Sequence, residues 1–442
     1  MKNVAFHNLG CKVNSYELEF VQQKFVQKGY NIVPFDEKAD IYVINTCTVT
    51  NIADRKSRQM LHQAKKRNPE ALVVALGCYV QTGKDAVEKD ECIDLAIGNN
   101  KKREALEIIE AYLADKGKPK TDIIDINHTD EYEEMKLART GEHTRAYIKI
   151  QDGCNQFCSY CIIPFARGRV RSRRPEDIRS EIEGLADKGY REFVLTGIHI
   201  SSYGVDFRER AVYDGRESLL LELIQMIHGL EGVERIRLGS LEPRIVTEEF
   251  VKCLASMDKI CPHFHLSLQS GCDETLKRMN RRYTTGEYKK GVELIRDYFE
   301  QPAITTDVIV GFPGETEEEF AQTREFLREM NLFEMHVFPY SLRKGTAAAG
   351  MEHQIDGETK KTRSHELLAM TKEQSENYRK QFIGKEECVL FEEIKVIGGC
   401  PYQIGHTARY VKVAKNCQDD LSGRLVRGKI TGMLNDEILL ME

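Results

Sequence analysis

The chain lacks three features that would place it in other classes of protein. It has no run of about 18 apolar residues, so no segment is long enough to cross a membrane as a helix. Its first residues, Met1 to His7, read as a β-strand without an apolar signal region, so we expect a cytoplasmic protein. It also lacks an excess of positive charge, because the net charge is −6. Any binding of nucleic acid must therefore come from a local basic patch.

Cysteine, by contrast, is plentiful. The 442 residues include 13 cysteines, and the apolar (41%) and charged (30%) fractions are those of a globular protein with two or three domains. Without a secretory signal, so many thiols favour a reducing compartment and metal ligation over disulfides. Seven of them share no topological position and read as ordinary thiols: Cys92, Cys253, Cys261, Cys272, Cys388, Cys400 and Cys417.

The densest cysteine motif is Cys154-x3-Cys158-x2-Cys161. Three thiolates can hold three irons of a 4Fe-4S cluster and leave the fourth iron open to a ligand that is not protein. The alternative is a zinc knuckle, but structural zinc closes its site with four ligands, and no further Cys or His lies within a few residues. The motif resembles the signature of the radical SAM enzymes, in which the open iron binds S-adenosylmethionine. The three cysteines are thus the predicted catalytic centre.

The chain divides into three regions according to its residue pattern. Residues 1–115 alternate short apolar strands with amphipathic helices, which predicts a parallel α/β domain of the Rossmann or flavodoxin-like type. Within it, we expect the first helix to begin at about Ser15, with Asn14 and Glu17 placed as in a capping box. Residues 116–142 are polar and charged, as in a linker, although an added strand at 123–126 is possible on this pattern.

Residues 143–372 contain six strand candidates, which predict a partial (β/α)6 barrel with its chemistry at the carboxyl ends of the strands. The candidates are 145–150, 191–196, 234–238, 263–268, 303–310 and 333–338. Residues 375–442 are rich in β-strand pattern, at 387–396, 405–414 and 423–441, and predict a small antiparallel β-barrel of OB-like shape. Such barrels commonly bind nucleic acid, and the alternative is a stabilising cap with no function of its own.

A second set of three cysteines is predicted by topology. Cys11, Cys47 and Cys78 each follow a strand of the first domain, and the ends of parallel strands meet at one edge of the sheet, where ligands bind. Gly10 and Gly77 precede two of them and allow tight turns. Each cysteine taken alone could be a buried apolar side chain. Three at equivalent positions favour a second site with three thiolates.

These motifs together resemble the methylthiotransferase family of radical SAM enzymes. The resemblance rests on Gly10-Cys-Lys-Val-Asn14, Asn45-Thr-Cys-Thr48 and Leu76-Gly-Cys-Tyr79, on the central barrel, and on a C-terminal part similar to a TRAM domain. The TRAM likeness is carried by Gly405-His-Thr407 and Tyr410-Val-Lys-Val413. The resemblance covers essentially the whole chain. Cys11-Lys-Val-Asn-Ser-Tyr-Glu17 is most similar to the branch that modifies N6-threonylcarbamoyladenosine.

The resemblance implies a specific activity and its cofactors. Cys11, Cys47 and Cys78 would hold an auxiliary 4Fe-4S cluster that handles the sulfur, and two S-adenosylmethionine molecules would be used per turnover. The reaction would place a methylthio group on C2 of N6-threonylcarbamoyladenosine at position 37, in the anticodon stem-loop of tRNA. Electrons would come from a donor such as flavodoxin or ferredoxin.

Two alternatives fit the same sequence features. The same chemistry could act on isopentenyladenosine of tRNA or on a ribosomal protein. A non-catalytic RNA-binding iron–sulfur redox protein is a different class, but electron-transfer clusters usually have all four irons bound by protein. Two sites with three cysteines each favour open irons and therefore catalysis.

Further candidates lie around the catalytic cysteines. Polar or conformationally permissive residues at the ends of the barrel strands, and aromatic residues inside the cysteine loop, are predicted to bind the cofactor: Phe157, Tyr160, Thr196, Gly197, Ser240, Glu242, Gln269 and Gly311. His199 also lies at a strand end, where a lone histidine is more often structural.

A run of arginines follows the catalytic cysteines. The five side chains are predicted to bind RNA, because guanidinium groups grip phosphates and stack on bases: Arg167, Arg169, Arg171, Arg173 and Arg174. The alternative is a solvated charged segment. A second basic stretch, 278–282, is predicted to reach the same barrel mouth.

Overall fold

The computed structural model describes residues 2–115, 117, 119–140, 144–207, 218–417 and 419–442. Its first part is a six-stranded sheet with every pair parallel, in the order β2-β1-β3-β4-β5-β6. The strands are β1 (Asn3–Asn8), β2 (Asn31–Val33), β3 (Ile41–Thr46), β4 (Leu72–Gly77), β5 (Leu95–Ile97) and β6 (Thr121–Asp122). The helices are α1 (Lys12–Gln27), α2 (Asn51–Arg67), α3 (Cys78–Thr82), α4 (Lys84–Lys89) and α5 (Ala105–Ala114).

This sheet is buried on both faces by helices. All residues of β3 and β4 are buried, and separate apolar clusters lie on the two sides of the sheet. Strand order and two-sided burial are those of a doubly wound flavodoxin-like fold, which confirms the predicted class. The order reverses between β1 and β3, so the loops after these two strands flank the switch point where such folds bind ligands.

Two local predictions in this part are wrong. Helix α1 begins at Lys12 with Cys11 as its N-cap residue, so Asn14 and Glu17 lie inside the helix and do not form a capping box. Both side chains are instead buried in a polar network. The added strand is β6, which pairs in parallel with β5 just before the apolar 123–126 segment.

The central part is a half-open barrel. Its strands form two parallel three-stranded sheets, ordered β7-β10-β11 and β12-β13-β14, which isolated parallel bridges join between β11 and β12. The strands are β7 (Ala146–Lys149), β8 (Gln151–Asp152), β9 (Arg171–Ser172), β10 (Glu192–Thr196), β11 (Arg235–Leu238), β12 (His263–His265), β13 (Ala303–Val310) and β14 (Glu334–Pro339). Six parallel strands confirm the predicted partial barrel, and β8 and β9 form a separate antiparallel pair.

The helices of this part are α6 (Ile163–Arg167), α7 (Pro175–Ala186), α8 (Leu219–His228), α9 (Glu248–Ala255), α10 (Asp273–Arg278), α11 (Thr285–Tyr298), α12 (Glu317–Met330) and α13 (Gly357–Lys380). Most of them cover the outside of the half-barrel and enclose the largest apolar cluster of the described chain, whereas α6 contacts α3 of the N-terminal part. Pro175 is the first residue of α7, and Thr284 caps α11 in a capping box, as the sequence predicts. The predicted helix at 217–228 begins at a position outside the described residues.

The C-terminal part is a closed five-stranded barrel in the order β15-β16-β17-β19-β18. Its strands are β15 (Glu386–Ile397), β16 (Cys400–Thr407), β17 (Lys412–Lys415), β18 (Leu425–Met433) and β19 (Leu439–Met441). The predicted continuous strand at 405–414 is interrupted by a turn at Tyr410, whose φ is +65°. The barrel is also not wholly antiparallel, because β17 and β19 pair in parallel.

This barrel docks on the half-barrel through buried charges. Arg235 and Arg237 point out of β11 and donate to main-chain carbonyls of the C-terminal barrel, over 2.6–3.3 Å. Glu192 on β10 pairs with both guanidinium groups, and their charges hold its pKa at about 2 despite burial. The guanidinium carbons of Arg237 and Arg145 lie 4.9 and 4.8 Å from the centroid of the Tyr410 ring. None of the described helices is long and apolar enough to cross a membrane.

Candidate functional site

The first cysteine set lies at the carboxyl edge of the N-terminal sheet. Cys11 follows β1 as the cap of α1, Cys47 follows β3, and Cys78 is the first residue of α3 directly after β4. Gly10, with φ of +116°, passes so close to Cys47 that a Cβ there would come within 3.3 Å of the Cys47 sulfur. A side chain at this position would block the approach of the two loops, which explains the need for glycine.

The three thiols are close enough to influence one another. Burial, together with the neighbouring Cys78 and Cys11 thiols, raises the pKa of Cys47 to about 11. The Asn99 amide donates to the Cys78 sulfur over 3.4 Å. Burial disfavours the thiolate form of Cys47, and binding of a metal favours it, so the set suits a cationic iron centre. Cys11 is exposed, whereas Cys78 is buried.

The second set lies in the loop between β8 and α6. Main-chain and side-chain bonds to distant segments hold this loop: Ser159 N–H donates to the Met279 carbonyl (3.0 Å), the Asn280 amide donates to the Phe157 carbonyl (2.9 Å), and Ala348 N–H donates to the Ser159 carbonyl (2.7 Å). Phe157 takes a left-handed conformation with φ of +51°. These hydrogen bonds to distant segments hold the shape of the loop.

The thiols of this loop have raised pKa values, as Cys47 of the first cysteine set does. Burial and the neighbouring thiols raise the pKa of Cys161 to about 12, and burial raises that of Cys154 to about 11. Arg281 donates to the Cys158 sulfur over 3.1 Å. A charged donor on a ligand sulfur stabilises the thiolate and tunes the potential of a bound cluster. Each set thus fits a 4Fe-4S cluster with three protein thiolates.

A cavity of about 350 Å³ opens beside the second set. It is lined by the three cysteines and by four predicted cofactor residues, Tyr160, Ser240, Glu242 and Gln269. Val49 and Thr50, which follow Cys47 in the N-terminal domain, line the same cavity. The loop of one cysteine set therefore reaches the cavity of the other.

The other predicted cofactor residues do not line this cavity. The Thr196 carbonyl accepts from Ile150 N–H (2.9 Å), and Gly197 packs against Gln151. Gly311 N–H donates to the Glu315 carboxylate over 2.9 Å, in a turn. Phe157 lies outside the cavity, and its ring centroid is 4.5 Å from the guanidinium carbon of Arg169. Their assignment to the cofactor stays a prediction.

His199 does line the cavity. Its Nδ1 lies 2.7 Å from the Ser202 hydroxyl and its Nε2 lies 3.6 Å from Glu242, and burial lowers its pKa. A neutral imidazole with one nitrogen engaged fits the structural role expected from the sequence. Other lining residues had no sequence signal, including Asp307 and Tyr340. Arg281 was anticipated within the basic stretch 278–282, whereas Arg278 turns away and pairs with Glu319.

The arginine run requires a correction. Arg167, Arg171 and Arg173 are almost fully buried, with 1%, 1% and 0% of their surface exposed. Arg171 donates to main-chain carbonyls, and Arg173 pairs with acidic side chains inside the protein. The prediction that these three bind RNA is therefore wrong for this structure. Arg169 and Arg174 are exposed and stay candidates.

The buried arginines connect the two cysteine sets. Arg167 is the last residue of α6, which follows the second cysteine set, and Glu17 lies in α1, which follows Cys11 of the first set. The guanidinium group of Arg167 donates to both carboxylate oxygens of Glu17, over 2.8 and 3.0 Å. Lys102 and Lys149 also pair with Glu17, and Asp152 pairs with Lys149 and Arg167. The cations hold the pKa of Glu17 well below its usual range. The network fixes the domain interface because no member can leave without exposing an unpaired buried charge.

A second interdomain contact holds the Cys47 loop. Arg343 follows β14 and is 7% exposed. It donates to the Thr48 hydroxyl (2.7 Å), to the Asn51 side-chain oxygen (2.8 Å) and to the Asp54 carboxylate (2.7 Å). Asn51 in turn donates to the Leu342 carbonyl over 2.8 Å. The loop that carries Cys47 is thus tied to the mouth of the half-barrel.

Comparison with known proteins agrees with this arrangement. A family model described as the Radical SAM superfamily matches residues 148–327, and one described as Uncharacterized protein family UPF0004 matches residues 3–98. Threonylcarbamoyladenosine tRNA methylthiotransferase MtaB of Bacillus subtilis is 41% identical over 97% of this chain and 94% of its own length. MtaB of Aquifex aeolicus is 40% identical over 96% of this chain and 99% of its own length. The chain belongs to the MtaB family of methylthiotransferases.

Other relatives place this methylthiotransferase within a wider group. A tRNA-2-methylthio-N(6)-dimethylallyladenosine synthase of Clostridium botulinum is 32% identical over 97% of this chain and 90% of its own length. Among solved structures, the radical S-adenosylmethionine methyltransferase TsrM of Kitasatospora setae matches with a TM-score of 0.56 at 15% identity, covering 76% of this chain and 75% of that one. At this identity the likeness shows the fold alone.

Proposed function

We propose that this methylthiotransferase replaces the hydrogen on C2 of N6-threonylcarbamoyladenosine, at position 37 of tRNA, with a methylthio group. MtaB relatives at 35–41% identity over most of the chain support this substrate. The observation that carries the proposal is the shared cavity, which Val49 and Thr50 line from one cysteine set and Cys154 and Cys161 from the other. A reaction that joins a sulfur centre to a radical centre needs both to reach one space.

The two cysteine sets would hold the two 4Fe-4S clusters of the family. Cys154, Cys158 and Cys161 would ligate the one that binds S-adenosylmethionine, and Cys11, Cys47 and Cys78 the auxiliary one. Bound there, these clusters and two molecules of S-adenosylmethionine per turnover would supply radical chemistry at one end of the site and sulfur-transfer chemistry at the other.

The protein residues orient and enclose the reactants. Ser240, Glu242 and Gln269, at strand ends, supply polar groups for the cofactor, and Tyr160 forms an aromatic wall. Arg281 holds the Cys158 sulfur. Arg343 keeps the Cys47 loop against the mouth, so the two centres stay at a fixed separation. Fixed separation matters because a misplacement of about 1 Å can cost about 100-fold in rate.

RNA binding would use the exposed part of the arginine run and the C-terminal barrel. Arg169 and Arg174 are exposed, and each is stacked on a phenylalanine. The target base must leave the stack of the anticodon loop, which costs a few kcal/mol that the pocket contacts offset. Flavodoxin or ferredoxin is the proposed electron donor, and the cytoplasm, which holds the tRNA, is the proposed location.

The decisive test is the nucleoside content of tRNA. Digests from a deletion strain should lose 2-methylthio-N6-threonylcarbamoyladenosine and retain the isopentenyl-derived methylthio nucleoside, and the wild-type gene should restore the loss. The anaerobically reconstituted protein should also form 5′-deoxyadenosine under reduction. An unchanged threonylcarbamoyl-derived signal in the deletion strain would refute the substrate. Absence of deoxyadenosine would instead refute the radical chemistry.

A further inference from the structure

The open face of the half-barrel carries a group of polar side chains at the edge of the cavity. Along β13, Val308 packs in the apolar core, whereas Asp307 and Ile309 point to the opposite, open side and line the cavity. In the register of β13 with β14, Asp307 lies opposite His336 and Ile309 lies opposite Phe338. Two cross-strand pairs, one polar and one apolar, therefore stand side by side on this face.

The polar pair is completed by a second histidine. His265, at the end of β12, has its Nε2 3.3 Å from an Asp307 carboxylate oxygen. Its Nδ1 lies 2.9 Å from the Thr305 hydroxyl, which fixes the ring. The His265 and His336 rings are nearly parallel, with centroids 5.9 Å apart. One polar atom from each of His265, Asp307 and His336 lies within 4.8 Å of the others, so all three can contact one small polar group.

The apolar pair lies between this cluster and the catalytic cysteines. Phe338 is 46% exposed, an unusual state for a large aromatic side chain on an inner barrel face. Such a ring can stack on a base that has left its helix. Residues two apart on one strand are about 7 Å apart. A base stacked on Phe338 would therefore carry a short substituent directly to Asp307 and His336.

We propose that His265, Asp307 and His336 form a subsite for the substituent on N6 of the target adenine, a substituent that bears a carboxylate and a hydroxyl. Imidazole N–H groups donate to the carboxylate, and the Asp307 carboxylate accepts from the hydroxyl or the carbamoyl N–H. This inference rests on the proposed function and assigns its substrate selectivity to named residues. It places the substituent on the open face and leaves the ring free to present C2 to the cavity.

The same geometry explains rejection of an apolar substituent. An isopentenyl group would cover Asp307 and the two imidazoles without giving any hydrogen bond. Sites that bond a polar substrate group discriminate against analogues that lack it, because the covered polar groups lose their hydrogen bonds to water and gain none in return. Selectivity between the two modified adenines thus needs no rearrangement of the cluster-binding loops.

The test measures selectivity in binding by the reconstituted protein. Anticodon stem-loops that carry N6-threonylcarbamoyladenosine or unmodified adenosine at position 37 are titrated against wild type and His336→Ala. His336 is exposed, so its removal leaves the fold intact. Loss of a hydrogen bond to a charged group should weaken binding of the modified loop about 10- to 100-fold and leave binding of the unmodified loop unchanged. Asp307→Asn, which keeps the shape, should also reduce the preference.

His365→Ala, an exposed position on α13, is the matched control and should keep the wild-type preference. An unchanged ratio of the two Kd values in His336→Ala and Asp307→Asn, with wild type active on the modified loop, would overturn the subsite and leave the proposed function standing. Binding of one Zn²⁺ per chain by wild type, lost in both variants, would make the cluster a metal site and also overturn it. Failure of wild type to methylthiolate the modified loop would instead refute the proposed function.

Discussion

Arg343 offers the sharpest test of how the two cysteine sets act together. Replacement by Met keeps the length of the side chain and removes the three hydrogen bonds to Thr48, Asn51 and Asp54. Removing one partner of a buried ion pair costs about 3–5 kcal/mol. Asp54 keeps 19% of its side-chain surface exposed, so water partly replaces the lost partner. We therefore expect a cost of about 2 kcal/mol, concentrated in the contact between the Cys47 loop and the barrel mouth.

A loss of this size would shift the docking of the loop by about 30-fold. Both cysteine sets remain intact in Arg343→Met, so reductive cleavage of S-adenosylmethionine should continue. The yield of methylthiolated nucleoside per 5′-deoxyadenosine should fall about tenfold or more. Anaerobic single-turnover reactions with both products quantified by mass spectrometry measure this ratio.

The control is Arg328→Met on α12, where the side chain is 58% exposed and pairs with a neighbour on its own helix. It should leave the ratio unchanged. Arg343→Lys keeps the charge but cannot reach all three acceptors, so we expect an intermediate ratio. A wild-type ratio in Arg343→Met, accompanied only by a lower melting temperature, would show that the contact stabilises the fold without positioning the sulfur centre.

We expect four further changes to separate the roles of the two cysteine sets, the buried Glu17 network and the exposed arginines. Cys158→Ala should abolish 5′-deoxyadenosine formation and lower the iron content while the auxiliary cluster remains, and normal cleavage would refute the cluster assignment. Cys47→Ala should instead cleave the cofactor without methylthiolation, and full product formation would make the first set ordinary thiols. Glu17→Gln should lower the free energy of unfolding by about 3–5 kcal/mol in urea titrations, because buried cations lose their partner; a change below about 1 kcal/mol would contradict the network. Replacing Arg169 and Arg174 by Ala should reduce the salt dependence of tRNA affinity in gel-shift titrations, and an unchanged slope would exclude phosphate contacts there.

The C-terminal barrel shows why a simple truncation would mislead. Helix α13 runs to Lys380, past the predicted domain start at 375, and the barrel supplies carbonyl acceptors to Arg235 and Arg237. Deleting it would leave two buried guanidinium groups with fewer partners and destabilise the half-barrel. Point changes on the exposed face of the barrel therefore test RNA binding more cleanly than deletion.

The sequence by itself determined the features that depend on local pattern. The spacing of Cys154, Cys158 and Cys161 identifies a centre with three thiolates, because the ligands come from one short loop. Cys11, Cys47 and Cys78 could be grouped as well, since parallel strands end at one edge of a sheet. Helix starts such as Pro175 and Thr284 follow from capping chemistry within four residues.

Only the tertiary structure decided which charges face solvent. Arg167, Arg171 and Arg173 look like an RNA-binding run in sequence, yet their partners lie in distant segments that bury them. Glu17 has the spacing of a capping residue, but its three cationic partners come from elsewhere in the chain. Burial of a charge depends on what packs around it, and no local pattern records that.

The same reason applies to the site. Strand ends predicted Ser240, Glu242 and Gln269, because barrel chemistry gathers there, but the approach of the Cys47 loop depends on Arg343, far away in sequence. Local pattern sets the residue types that can bind iron and their order along the strands. The distance between the two centres is set by packing of one domain on another, which only the folded chain defines.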